Sequence, residues 1–341
     1  MHKEAPAQSM RQGMNSIDLM KLIMAFAVVA IHARPLANCR SEAITTAFNS
    51  FTSLAVPFFF LASGFLISRR MSFPCSSVDI EVLKKHLRKI AKLYIVWMLI
   101  YTPLAVYQNI VDCVPLSKCI LLYIRGLFLI GEQYNSWHLW YLLSTIYSMA
   151  VIILLLRVIK SPKGLLYVAA AFSVVSIGLD RFVSVDVGTF SALKTVQSLI
   201  VHSISGGRIF RGLIYIPIGM YLAHVKPKPL SGVLLLISGF VLSQFVKDPS
   251  ANSFILIFTA VGLFISIKSI KLSDSKIYLS MRNMSTVIYL IHMYVLSIFC
   301  MVAYGTMNYG PIPFLVTASV SAAIALVYVQ INGKAKIRQK F

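Results

Sequence analysis

The chain alternates long apolar runs with short polar ones. Runs of about 20 apolar residues recur, which is the length a helix needs to cross a bilayer. They predict spans near 17–37, 48–68, 90–109, 138–158, 164–180, 209–225, 230–246, 251–268, 284–305 and 311–331. The stretch 118–131 is apolar but short and holds Arg125, so it reads as a re-entrant or interfacial helix. The expected architecture is an all-α membrane protein with about ten transmembrane helices and both termini cytoplasmic. A single membrane domain is expected over 1–331, followed by a basic cytoplasmic tail at 332–341. Residues 1–16 are polar and do not read as a cleaved signal, because the following run is too long and contains Asp18 and Lys21. No repeat of fixed period and no soluble domain is apparent.

Composition supports that reading. Of 341 residues, 58% are apolar and only 13% charged, against roughly a quarter charged in ordinary soluble domains. This excludes disorder and an ordinary soluble enzyme. The net charge of +21 first suggests nucleic acid, but a nucleic-acid binder gathers its cations on one soluble face. Here they lie between apolar runs, the positive-inside pattern of a membrane protein. With an internal N-terminus and ten spans, 23 of the 32 Lys and Arg fall on the internal side. An eleventh span at 118–131 would move three basic segments outside. The expected partners therefore include membrane lipids and no nucleic acid. Five cysteines show no metal-type spacing, and no metal is expected; a bridge between Cys113 and Cys119, in one external segment, stays open.

Ionisable residues inside spans are costly and mark function. The first span holds Asp18, Lys21 and His32. Lys21 and His32 are eleven residues apart, about three turns plus roughly 20°, so they share a face about 16 Å apart along the axis. Asp18 and Lys21 form an i, i+3 pair that can neutralise itself. One helix face thus carries a cation near the internal surface and an imidazole near the external one.

These residues resemble the opening of the acyltransferase 3 family of integral membrane acyltransferases: Asn15-Ser16-Ile17-Asp18-Leu19-Met20-Lys21, ten residues, then His32. Three further blocks are similar to that family's: Val56-Pro57-Phe58-Phe59-Phe60-Leu61-Ala62-Ser63-Gly64-Phe65-Leu66, Trp137-His138-Leu139-Trp140-Tyr141-Leu142-Leu143 and Ile288-Tyr289-Leu290-Ile291-His292. There are departures. The family has Arg where Lys21 stands, and its Arg-x-x-Arg is replaced by Lys89-Ile90-Ala91-Lys92 beside Arg88, which keeps charge but not the guanidinium fork.

The resemblance implies transfer of an acyl group, commonly acetyl, from cytoplasmic acyl-CoA to a hydroxyl of a cell-surface glycan, lipid-linked sugar or other envelope component. It implies no bound cofactor, acyl-CoA being a co-substrate. The multi-pass location it suggests is the bacterial cytoplasmic membrane. Phosphates of the donor call for cations at the internal mouth, and Lys21, Arg88, Lys89 and Lys92 are expected there. His32, with a near-neutral pKa, is the expected catalytic base. Asp18, Ser63 and His292 are expected in support. His138 and Trp140, with Arg208 and Arg211 opening the sixth span, are expected to bind the acceptor. Ser63-Gly64 also reads as close helix packing, and the residues around His138 as an aromatic belt. The competing class is a polytopic transporter or flippase of a small or lipid-linked solute.

Overall fold

In the computed structural model, backbone is described for residues 5–338 apart from 187 and 189, and side chains for 15–332 apart from 187, 189 and 203–207. The described residues are helical, with no strand. In chain order the helices are α1 (Ala5–Ala33), α2 (Glu42–Ser53), α3 (Ala55–Ser68), α4 (Ser77–Val111), α5 (Leu116–Arg125), α6 (Trp140–Leu155), α7 (Gly164–Ser184), α8 (Ser191–Ile204), α9 (Arg211–Leu222), α10 (Pro229–Phe245), α11 (Pro249–Ser269), α12 (Ile277–Tyr304) and α13 (Pro311–Arg338). Eight helical stretches are long and apolar enough to cross a membrane. With the shorter α9 and α10 they fill the ten expected segments. The protein is an all-α, multi-pass membrane protein.

Three boundaries differ from expectation. α4 starts at Ser77 rather than near 90, because Ser76 and Asp79 form a capping box that nucleates the helix well before the apolar run. Residues 191–204, between the fifth and sixth expected spans, fold as α8, with apolar residues at i, i+3 spacing. The backbone of α1 is helical from Ala5, through most of the polar segment that precedes the first expected span. The stretch near 118–131 is short, as expected: α5 passes into a π-helical turn, Gly126–Ile130, that ends at Gly131 with φ of 80°. The tail expected at 332–341 lies outside the described side chains from 333 onward. All five cysteines are unpaired, Cys113 and Cys119 included.

Contacts divide the chain into two compact units. One comprises Met1–Phe59, Pro227–Lys247 and Phe258–Phe341; the other comprises Phe60–Lys226 and Asp248–Ile257. In the first, α1, α12 and α13 pack around Ala25, Val29, Ile288 and Ala325, all fully buried. Two of these four are alanines, and small side chains let helices approach closely where lipid offers no hydrophobic drive. α10 and α11 meet the same way, since a Cβ on Gly239 would strike the Thr259 side chain and one on Gly262 the Leu236 backbone.

In the second unit α9 is apolar and buried almost all round, from Gly212 to Leu222. It locks against the end of α3: a Cβ on Gly64 would strike the Ile216 carbonyl oxygen, and one on Gly219 that of Leu61. Ser144 of α6 donates to the Ile209 carbonyl (2.8 Å) and accepts from the Gly212 N–H (3.2 Å). Carbonyls of the π-helical turn are collected by phenols, Tyr94 donating to Leu127 (2.7 Å) and Tyr147 to Phe128 (2.5 Å). A buried backbone polar group without such a partner would be costly.

Candidate functional site

Within the first unit, α1 places Asp18, Lys21 and His32 as the periodicity predicts. Lys21 Nζ lies 3.9 Å from Asp18 Oδ1, with the two side chains only 14% and 8% exposed. The desolvation cost of such a buried pair rivals its attraction, so the pair adds little net stability of its own. Beside the pair opens a cavity of about 530 Å³ lined by Asn15, Asp18, Asp274, Ser275, Lys276, Leu279 and Arg282. Arg282, on α12, thus lines the same cavity as Asp18. Asn15 Nδ2 donates to the Ser273 carbonyl (3.0 Å), which ties α1, one turn before Asp18, to the segment before α12.

At the other end of α1, the His32 ring lies 5.3 Å from that of His292 on α12, centroid to centroid, inclined at 38°. His32 is half-buried, and His292 is fully buried. His292 Nδ1 faces the carbonyls of Tyr289 (2.8 Å) and Ile288 (3.2 Å), which only accept, so Nδ1 carries the hydrogen and donates. The neutral ring therefore presents Nε2 as an acceptor. Tyr289 packs against both His292 (6.3 Å) and Phe59 (6.1 Å), forming an aromatic wall behind the pair.

The two helices thus run parallel and repeat one arrangement. α1 carries Lys21 and, eleven residues on, His32; α12 carries Arg282 and, ten residues on, His292. Sequence reading missed Arg282 and Lys276 as site residues because both look like ordinary internal loop charges. The cation–His spacing on α12, so close to that on α1, was the available signal.

The remaining expected residues belong to the second unit. Arg88, Lys89 and Lys92 stand exposed on α4, with Arg88 paired to Glu81 at 3.4 Å. Ser63 Oγ lies 3.2 Å from the Tyr141 hydroxyl, in a cluster where the Phe60 ring packs on Tyr141 (4.5 Å) and stacks with Tyr215 (6.4 Å). His138 is buried, with the Tyr101 ring edge-on at 5.2 Å. Arg208 lies over the Trp140 ring (4.7 Å) and pairs with Glu132 (3.3 Å). Burial pushes the Glu132 carboxyl up, and Arg208 pulls it partly back. Arg211 opens α9 beside this cluster. Among the described residues no three His, Cys, Asp or Glu gather as a metal site would need.

The family model described as "Acyltransferase domain", acyltransferase 3, matches residues 14–329. The chain belongs to the acyltransferase 3 family. The matched segment is a membrane acyltransferase domain, an enzyme module transferring groups other than aminoacyl groups. Curated relatives include an amino-acid racemase of Enterococcus faecalis, 35% identical over 43% of this chain and 20% of the relative. A second match to an amino-acid racemase of that organism is 29% identical over 61% of this chain and 28% of the relative. A serine/alanine racemase of Enterococcus gallinarum is 26% identical over 62% and 29%. The chain thus spans less than a third of the length of these relatives. No solved structure matches it.

Chemically, the first unit sets a cavity lined by both carboxylates and cations at one end of a helix span and two adjacent imidazoles at the other. An anionic donor with its reactive carbonyl far from its phosphates needs such a division.

Proposed function

We propose that this domain transfers an acyl group, acetyl above all, from cytoplasmic acyl-CoA to a hydroxyl of a cell-surface glycan or lipid-linked sugar, and that it works in the bacterial cytoplasmic membrane with both termini inside. One observation carries the reading: α12 sets Arg282 on the 530 Å³ cavity, α1 sets Lys21 behind its lining residue Asp18, and the two parallel helices bring His32 and His292 together at the opposite end. CoA is built to the same plan, with phosphates at one end and the thioester at the end of a long arm.

In this reading Lys21, Arg282 and Lys276 hold the phosphates, and Asp18 holds Lys21 in place. Arg88, Lys89 and Lys92, exposed on α4, draw the anionic donor to the internal surface. His32 takes the proton of the acceptor hydroxyl as its oxygen attacks the thioester carbonyl. The tetrahedral adduct collapses, the C–S bond breaks, and CoA leaves as a thiolate that takes up a proton; the acceptor leaves as its acyl ester. His292 is a positioning residue: its ring, packed 5.3 Å from that of His32, sets the tilt of His32, and its Nε2 is left to accept from the His32 ring during the reaction. His138, Trp140, Arg208 and Arg211 bind the acceptor, with the Trp140 face suited to a sugar ring, and Ser63 supports them through Tyr141.

The test compares envelope glycans from cells with and without the protein. Mass spectrometry should show one acyl ester lost from the deletion strain and restored by the wild-type chain. Identical ester content in both strains counts against the reading.

A further inference from the structure

The structure holds a second cavity in the first unit, at the C-terminal end of α1. It measures about 460 Å³ and lies between α1 and α2. Arg34, Thr45, Phe48, Asn49, Thr52 and Ser53 line it, with Ala30, Ile31, Leu36 and Ala37. We propose that this cavity, by the juxtaposition of Arg34 with the polar face of α2, is an anchoring subsite for an anionic, hydroxyl-rich group: a sugar phosphate at the non-reacting end of the acceptor. The proposal rests on the acyl-transfer reading above and names the acceptor's chemistry.

The hydrogen-bonding state of the lining supports this. Thr45 donates to the Ser41 carbonyl (2.8 Å), Thr52 to Asn49 (3.2 Å) and Ser53 to Ser50 (2.9 Å). Each hydroxyl has given its hydrogen to a carbonyl a turn back, so only lone pairs remain for a ligand. Three acceptor-only oxygens on one helix face suit a ligand that brings O–H donors, as sugars do. Asn49, exposed beside them, offers both a donor and an acceptor.

Arg34 supplies the charge. Its guanidinium sits 4.7 Å from the Tyr309 ring, and among the described residues no acid pairs with it. Its backbone has a φ of 47°, a left-handed conformation that is strained for a non-glycine residue. The neighbouring Ala33 carbonyl accepts from the Gly310 N–H at 2.9 Å, so the turn is tied to the start of α13. The left-handed turn ends α1 and leaves Arg34 on the cavity wall. Phe48, Ile31 and Leu36 give the cavity an apolar wall for a sugar face.

The placement fits an anchor rather than the reaction centre. Ile31 and Arg34 flank His32 in sequence and line the cavity, while the His32 ring packs against His292. A group held here lies within about one helical turn of the base. Binding energy from a remote group is what orients a reacting hydroxyl.

Isothermal titration calorimetry on the full chain in neutral phosphatidylcholine nanodiscs, without acyl-CoA, tests the subsite separately from the chemistry. The probes are glucose 1-phosphate, methyl glucoside and glycerol 1-phosphate. The wild type should bind glucose 1-phosphate about tenfold or more tighter than either of the others. Arg34→Gln should erase the preference over methyl glucoside, and Asn49→Leu should weaken both sugars alike; circular dichroism confirms that each variant is folded. No binding by the wild type, or Arg34→Gln binding as the wild type does, overturns the subsite. Equal affinity for glycerol 1-phosphate also overturns it, assigning the cavity to a lipid headgroup. Selective binding by a chain that never transfers acetyl leaves the subsite standing and sinks the acyl-transfer reading.

Discussion

The α1–α12 face and the Arg208–Trp140 cluster both set cations beside rings, and they get there by different routes. On the first, Lys21, His32, Arg282 and His292 sit on two long helices, and the helical period alone sets their spacing along each axis. In the second, Glu132 follows a π-helical turn and a left-handed Gly131, His138 sits in a short 3₁₀ turn, and Arg208 in another just before α9. Regular helices make a site with fixed reach across a bilayer. Irregular turns make one that depends on packing around it, here by Gly64, Gly212 and Gly219.

The largest effect that separates the two should come from the buried ion pair. Lys21→Met leaves Asp18 buried without its near partner and should cost about 3–5 kcal/mol. The double variant Asp18→Asn/Lys21→Met should recover most of that stability, yet remain poor in acyl-CoA affinity. Thermal unfolding in lipid and donor binding measure the two together. Recovery of both would show that the pair serves stability alone.

Gly64→Val sharpens the other side. Its side chain would meet the Ile216 backbone, which cannot swing away, and overpacking of this kind costs about 1–3 kcal/mol or more. Unfolding should shift down, and activity should fall only as far as folded protein is lost. A kcat loss in fully folded protein would mean that α9 takes part in the chemistry directly.

If His292 positions His32, His292→Ala should lower kcat about tenfold or more while leaving the KM for acyl-CoA near its wild-type value, because the ring packed 5.3 Å from His32 is lost. His292→Gln, which can still offer an acceptor oxygen, should recover part of it. Equal losses in both variants would reduce His292 to a packing role. The smallest effect belongs to Arg88→Ala. Its pair with Glu81 is exposed on both sides, so stability should change by about 1 kcal/mol or less. The apparent KM for acyl-CoA should rise modestly at low salt and not at high salt.

The same contrast explains what could be read from sequence. The ten apolar segments and the shared face of Lys21 and His32 follow from span length and helical period, both local properties of the chain. The 5.3 Å approach of His32 to His292 does not, since it depends on α1 and α12 meeting across 260 positions of sequence. Arg282 went unrecognised because a basic residue at a helix start also satisfies the positive-inside rule. Glu132 and Arg208 pair through turns that carry no periodic signal. α8 was missed because a short, half-polar amphipathic helix resembles a loop beside long apolar runs.

In the proposed reaction His32 is the base of an acyl transfer fed by acyl-CoA. Purified protein in lipid vesicles, given radiolabelled acetyl-CoA and an envelope glycan extract, addresses it most directly. The wild type should move label to a glycan ester, and His32→Ala, equally folded, should be slower by about 10²–10⁴-fold. Transfer at the wild-type rate by His32→Ala would contradict the account, as would passage of unmodified solute across the vesicle with no label transferred.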